Sequence, residues 1–365
     1  MKKLYLDAPC LGETEKRYLC EAIDSGFVSS VGPFVSKFEK KIADYLGVKG
    51  AVAVQSGTAA IHMALYELGI GPGDEVIVPA LTFVATINPI LYAGAIPMIV
   101  DVDINTWNID PVKVKEAITD KTKAIIPVHL YGNPCNMEEI IDIAKEHNLY
   151  VIEDATESLG AKINNKHTGT FGDFGCFSFN GNKLITTGGG GMIVSNNTER
   201  IEHIRYLVNQ SKDKDRPGFH REMGFNYRMT NIEAALGLAQ LEKINRFLAK
   251  KKAFREIYQK VLSTLPYIKF QDKYDNAMGS WWFTCVKIEK EIEILYLIQK
   301  LKNKGIPARR IFIPANEMPY LSKYSATCSN ACRIYNYGIC LPCSTLNEEQ
   351  NMKEVSLMVL KELNG

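Results

Sequence analysis

Two stretches decide how this chain is read: Val151-Ile-Glu-Asp154 and, beyond it, Cys176-Phe-Ser-Phe-Asn-Gly-Asn-Lys183-Leu-Ile-Thr-Thr-Gly-Gly-Gly-Gly191. The first places a carboxylate, Asp154, at the end of an apolar strand. Strands of a parallel sheet are buried on both faces, and an ionised carboxylate there needs a charged partner. The second supplies a lysine 29 residues later. Together they meet the two demands of pyridoxal 5'-phosphate. Its aldehyde carbon must be captured by an amine, and its pyridine nitrogen must stay protonated so that the ring accepts electrons. Lys183 is therefore the expected catalytic residue, first holding the cofactor and then moving a proton as a base. Asp154 is expected to pair with the ring nitrogen and raise its pKa. Glu153 would face the other way in a structural role. Glu157, one helical turn on, either reaches the ring hydroxyl or is a solvated acid at a helix start.

Outward from these stretches, residues 50 to 195 alternate short β-rich runs with longer amphipathic segments, the pattern of a mainly parallel sheet covered by helices. Strands are expected at 51–55, 75–79, 96–102, 124–129, 150–153, 175–179 and 191–195. Helical spacing marks 58–68, 83–92, 111–118 and 137–147, with Gly-Pro-Gly-Asp at 71–74 as a turn. A long helical region over 230–262 leads out of this large domain. Beyond it, 281–287 reads as a strand, 291–304 as a helix and 338–341 as another strand. The fold class is α/β. A large domain, residues 1–250 with the N-terminal segment, carries a seven-stranded sheet, and a smaller α+β domain covers 251–365.

Further cofactor contacts follow from chemistry. Ser56-Gly57-Thr58-Ala59 follows a strand and opens a helix, so the N–H groups of Gly57, Thr58 and Ala59 and the Thr58 hydroxyl can meet a phosphate at the positive end of the helix dipole. Alone, the same residues read as a plain helix cap. Phe83, just after a strand, is placed to stack on a pyridine ring, with ordinary core packing as the alternative. Ser178 would donate to the same phosphate as Thr58. The glycines 188–191 do not match a nucleotide loop of the Gly-x-Gly-x-x-Gly kind.

A chain of 365 residues with 46% apolar and 23% charged residues has enough material for two domains with a shared core. Its net charge of +2, without a basic stripe, gives no reason to expect nucleic acid or a membrane surface. No run reaches the roughly 18 apolar residues of a membrane span, and a cytoplasmic location is expected. Nine cysteines, an odd number and several in apolar settings, fit a reducing compartment. Cys340-Leu-Pro-Cys343 has redox or metal spacing but no matching second pair, so no metal is expected.

The ordered motifs Ser-Gly-Thr-Ala-Ala, Thr-Phe-Val-Ala-Thr, Val-His-Leu-Tyr-Gly, Ile-Glu-Asp-Ala-Thr-Glu-Ser-Leu-Gly, Phe-Ser-Phe-Asn-Gly-Asn-Lys and Gly-Phe-Asn-Tyr-Arg-Met span the chain. In them it resembles the DegT/DnrJ/EryC1/StrS family of sugar-nucleotide aminotransferases. The resemblance implies a type I PLP-dependent aminotransferase fold and a homodimer with shared active sites. It gives Lys183, Asp154, Phe83, Thr58 and Ser178 the roles above. Asn226 would reach the phosphate of the neighbouring subunit's cofactor. Glu157 stands where many relatives carry Gln or His.

Sugar dehydratases of the family have His in place of Lys183, so transamination is implied, from L-glutamate to C4 of a nucleotide-linked 4-keto-6-deoxy sugar in bacterial surface-glycan biosynthesis. The segment Phe179-Asn-Gly-Asn-Lys183 resembles the branch acting on UDP-4-keto-6-deoxy-N-acetylglucosamine. The alternatives are the branch acting on GDP-4-keto-6-deoxymannose and a 3-aminotransferase. Outside this set stand another type I enzyme, such as a decarboxylase, and a catalytically silent regulator binding the cofactor or an amino sugar. The nucleotide is expected along Ser29, Ser30, the loop near His220, and Arg309-Arg310, whose adjacent guanidiniums suit a pyrophosphate or are a solvated pair.

Overall fold

Burial on both faces turns the apolar runs of residues 50–195 into one sheet. The computed structural model describes residues 3–213 and 215–364. In it the strands β1 (Gly50–Val54), β2 (Glu75–Pro79), β3 (Ile96–Val100), β4 (Thr122–Ile125) and β5 (Tyr150–Asp154) join β8 (Phe174–Ser178) and β9 (Gly191–Ser195). A hairpin, β6 (Lys162–Ile163) and β7 (Lys166–His167), lies between β5 and β8 in the chain. The seven-stranded order is β1-β9-β8-β5-β4-β2-β3. All neighbours run parallel except β9, antiparallel to both β1 and β8. All seven expected strands are present in this sheet.

Side-chain alternation divides the core. Val76 and Val78 belong to the same buried cluster as Ile61 and Ala64 of the helix Gly57–Glu67. Ile77, between them, is paired with Ile125 and belongs to a second cluster, with Val114 and Ile140, on the opposite face. Each such fully buried Val or Ile contributes about 1.5–3 kcal/mol of transfer free energy.

The second body has a four-stranded antiparallel sheet, β10 (Ile268–Phe270), β12 (Thr284–Ile288), β14 (Gly338–Leu341) and β13 (Arg309–Arg310), in the order β10-β12-β14-β13. Helices Ile294–Asn303, Ser329–Tyr337 and Glu349–Asn364 accompany it. A short strand, β11 (Ala277–Met278), pairs with β6 and ties this half of the chain to the large sheet's hairpin. The N-terminal segment also docks here: Asn347 exchanges hydrogen bonds with Tyr5, and Cys343 N–H donates to the Leu6 carbonyl at 2.9 Å.

The helical region expected over 230–262 is two helices, Asn231–Leu241 and Ile244–Leu262. The break falls where Lys243 leaves helical backbone angles (φ −101°, ψ 0°) and its Nζ reaches both carboxylate oxygens of Glu15 at 2.6 Å. Residue 250 lies inside the second of these helices. The expected helix at 83–92 is a 3-10 turn, Val84–Thr86, followed by Asn88–Tyr92. Helices Glu13–Asp24, Pro33–Leu46 and Thr198–Leu207 lie where no element was expected. Among the described residues no helix is long and apolar enough to cross a membrane.

Candidate active site

The strand ends converge. Gln55 and Ser56 follow β1, Thr82 and Phe83 follow β2, Asp154 ends β5 and Ser178 ends β8, all at the carboxyl edge of the sheet where open α/β folds place their ligands. They line a cavity of about 400 Å³ together with Gly57, Thr58, Thr86, Thr156, Glu157, Lys183, Trp282, Arg309 and Phe312.

One end of the cavity is the start of helix Gly57–Glu67. Ser56 caps it, its Oγ accepting from Ala59 N–H at 3.1 Å. That bond commits the Ala59 N–H to the cap, so Gly57 and Thr58 keep the backbone donors that face the cavity. A Cβ on Gly57 would meet Thr156 Cγ2 at 2.9 Å and Ser178 Cβ at 3.0 Å, so only glycine lets the helix start this close to the β8 end. Helix dipole, free N–H groups and two hydroxyls make a phosphate seat.

Asp154 is buried, and its Oδ2 accepts from Thr86 Oγ1 at 2.6 Å while Oδ1 accepts from Thr156 N–H at 3.1 Å. Thr86 is itself in contact with Thr82 Oγ1 at 2.7 Å. These bonds fix the carboxylate while leaving it on the cavity wall, where a protonated ring nitrogen would supply the charge it lacks. Glu153, as expected, turns away. It accepts from the N–H groups of Gly169, Phe171 and Gly172 at 2.6–2.8 Å. His129 accepts from Cys135 N–H through Nδ1 and meets Glu153 through Nε2 at 3.0 Å.

Lys183 Nζ stands 3.7 Å from Glu157 Oε1 and 4.1 Å from the centroid of the Trp282 ring. Burial lowers its pKa, against the opposing charges of Glu157 and Asp154. Burial also raises the pKa of Glu157, whose other oxygen accepts from Tyr131 N–H at 2.7 Å. A lysine pushed toward its neutral form is a nucleophile and a base. Trp282 is held by its Nε1–H donating to the Asn182 carbonyl at 2.7 Å, so the indole and the lysine loop are fixed to one another.

The cavity thus gathers Gly57, Thr58, Phe83, Asp154, Glu157, Ser178, Lys183 and Arg309. It does not gather Ala59, whose N–H is taken by the Ser56 cap, nor Asn226, Ser29, Ser30, His220 or Arg310 of the same chain. Asn226 and His220 are exposed on the segment after helix Thr198–Leu207, and Ser29 and Ser30 hold Asn231 and Arg228 through their carbonyls. Arg310 turns away from Arg309, donating to Tyr335 O and Asn336 Oδ1 and stacking on Tyr335 at 3.8 Å. Gln55, Thr86, Thr156, Trp282 and Phe312 were not anticipated. Thr82 and Thr86, four apart after a strand, carry a weak sequence signal; Trp282 and Phe312 arrive from the second body and carry none. Cys340 and Cys343 are both buried but diverge: Cys340 Sγ lies 3.3 Å from Cys285 Sγ, and Cys343 Sγ lies 3.5 Å from Lys251 Nζ.

Residues 9–359 match the model of the DegT/DnrJ/EryC1/StrS aminotransferase family. The chain belongs to that family. It is 43% identical over 325 residues to GDP-perosamine synthase of Escherichia coli O157:H7, covering 89% of each chain. It is 38% identical over 370 residues to the putative pyridoxal phosphate-dependent aminotransferase EpsN of Bacillus subtilis, covering 98% of this chain and 95% of that one. Among solved structures it superposes on the putative sugar aminotransferase Spr1654 of Streptococcus pneumoniae in its PMP form with a TM-score of 0.92, 25% identity and full coverage of both chains.

As a member of the family, the protein is a PLP-dependent sugar-nucleotide aminotransferase with the expected α/β fold. The site fits the cofactor: a phosphate seat at a helix start, a fixed buried carboxylate for the ring nitrogen and a lysine of depressed pKa line one cavity.

Proposed function

We propose that the enzyme moves the amino group of L-glutamate to C4 of a nucleotide-linked 4-keto-6-deoxy hexose, with GDP-4-keto-6-deoxymannose the preferred acceptor. The observation that carries the reaction type is the Lys183–Glu157–Asp154 cavity. The similarity to GDP-perosamine synthase over most of the chain supports the GDP-linked acceptor, ahead of the UDP-4-keto-6-deoxy-N-acetylglucosamine read from Phe179-Asn-Gly-Asn-Lys183. The UDP sugar is the second reading.

When bound, pyridoxal phosphate supplies an electron sink for the carbon that loses a proton. The chain does the rest. Gly57, Thr58 and Ser178 would hold the phosphate, Phe83 would lie against the ring, and Asp154 would keep the ring nitrogen protonated. Lys183 Nζ takes the Cα proton of the donor and later returns a proton at the sugar C4. Glu157, at 3.7 Å, opposes the loss of charge that burial imposes on that amine. Trp282 and Phe312 cover the cavity from the second body and exclude water.

A homodimer completes this reading. Asn226 and His220, exposed and absent from the lining of their own cavity, would enter the cavity of a second copy, with Ser29 and Ser30 near the nucleotide. Exposed apolar side chains nearby, Phe27, Val31 and Met223, support a covered surface there.

The test is spectroscopic. L-glutamate should discharge the visible band of the lysine-bound cofactor, and GDP-4-keto-6-deoxymannose should restore it faster than the UDP sugar. Restoration by the UDP sugar alone would reverse the choice of acceptor. No response to any amino acid would refute transamination.

A further inference from the structure

Arg309 is the cavity's unexplained charge. On β13 it sits opposite Cys340 of β14, and its guanidinium lies among aromatic rings, 4.4 Å from the centroid of Phe283, 5.3 Å from Phe312 and 5.5 Å from Trp282. Its Nε and Nη2 atoms are buried and have no hydrogen-bond partner among the described residues. It forms no ion pair with a described carboxylate, whereas the nearby acids are committed: Glu157 to Tyr131 N–H and Lys183, Asp154 to Thr86 and Thr156. Ring faces attract the cation but accept nothing from its in-plane N–H groups. An arginine does not escape by losing its proton, so one with two buried, idle donors is built to receive an anion.

Which anion follows from the atoms left free. Nε–H and one N–H of Nη2 point the same way, along one edge of the guanidinium, and that edge is the fork that grips both oxygens of a carboxylate. Its position narrows the choice further. Arg309 and Lys183 share the Trp282 ring, with Lys183 Nζ at 4.1 Å and the Arg309 guanidinium at 5.5 Å from its centroid.

Lys183 marks the reacting carbon. In an amino-acid donor that carbon bears a carboxylate one bond away. In the sugar the reacting C4 lies across the hexose ring from the C1 that carries the pyrophosphate, so that anion is held a ring's width off. The cofactor phosphate has its own seat at Gly57, Thr58 and Ser178.

We infer that Arg309 binds the α-carboxylate of the amino donor, the specificity-determining contact of the first half-reaction, and takes no part in holding the nucleotide. The inference rests on the proposed amino-acid donor. It also explains the unlike fates of the adjacent arginines, since Arg310 is fully engaged with Tyr335 and Asn336.

The experiment separates the half-reactions in Arg309→Gln and Arg309→Lys holoenzymes. With L-glutamate, single-turnover discharge of the cofactor band should show an apparent Kd raised about 10- to 100-fold, the loss of a charge-assisted bidentate contact. Reaction of the amine-form enzyme with the 4-keto sugar should change less than about threefold, which also shows that the variants are folded. Isoglutamine, the α-amide of glutamate, should be a poor donor for wild type and no poorer for Arg309→Gln. Calorimetric binding of α-methyl-L-glutamate, which has no Cα proton to lose, should weaken in parallel.

A larger loss in the sugar half-reaction than in the glutamate one would overturn the inference and assign Arg309 to the nucleotide. Equal losses with glutamate and isoglutamine would overturn it in favour of a structural role. A wild type inert to every amino acid would refute the donor reading itself, and the inference with it.

Discussion

Lys183 and Glu157 form a buried acid–base pair whose balance is tunable by a single atom. Burial drives the lysine toward neutrality and Glu157 opposes that drive, so Glu157→Gln should lower the pKa of Lys183 further. The expected outcome is that cofactor capture by the apo-variant, followed by absorbance, extends to lower pH than in wild type; a shift to higher pH would sink the assignment. Lys183→Ala should abolish the glutamate-sensitive band and cut turnover at least about 100-fold, measured with saturating cofactor. Lys183 and Asp154 were legible because their chemistry has no substitute: only an amine captures an aldehyde, and a buried carboxylate demands a cation. Thr86 carried only a weak signal, because its bond to Asp154 spans 68 positions and a threonine does not announce its partner. Trp282 and Arg309 reach Lys183 only through tertiary folding, which spacing along the chain does not encode.

Elements hold those residues in place through a few buried polar hubs. Glu153 gathers three backbone N–H groups of the 169–172 turn that leads into β8. In Glu153→Ala the buried Gly169 N–H and the half-buried Phe171 and Gly172 N–H groups lose their acceptor, the buried one at about 1–3 kcal/mol, so urea unfolding should show a loss of at least about 2 kcal/mol. A loss under 1 kcal/mol would mean that water or another acceptor replaces the carboxylate.

His203, on helix Thr198–Leu207, bridges Glu67 at 2.6 Å and Glu222 at 3.2 Å. Burial lowers its pKa, but the two carboxylates outweigh this and hold it above the ordinary 6.5. A raised folded value makes the stabilisation complete below the unfolded pKa and lost as pH rises through the folded one. The thermal midpoints of wild type and His203→Asn should therefore differ most near about pH 6 and converge near about pH 8, with partial exposure and salt keeping the gap small. The seven strands were legible because the buried strands of this sheet are short, mainly apolar runs between turns. Helix Glu13–Asp24 was not, since it buries only Glu15 and Ala22 and shows no apolar stripe, whereas Pro33–Leu46 buries Phe34, Phe38 and Ile42 at helical spacing and did carry a signal.

At the scale of the whole molecule, the proposed dimer makes each active site a joint product of two chains. Mixing Lys183→Ala with Asn226→Ala protein should then regenerate one intact site per heterodimer, approaching about a quarter of wild-type activity after subunit exchange. Activity no greater than the sum of the separate variants would argue that each chain serves itself. The end of the large sheet at Ser195 was visible from the change in pattern after that residue, but the return of the first residues to the far body was not, because Tyr5 and Asn347 are 342 positions apart.

That return has a practical consequence. The same short segment that clasps Asn347 and Cys343 also touches the lysine loop, where Asn182 Nδ2 donates to Asp7 Oδ2 at 3.1 Å. Anyone trimming the front of the gene to tidy an expression product would thus be cutting a guy-rope of the catalytic loop, and the damage should surface as slow chemistry in a protein that still purifies well.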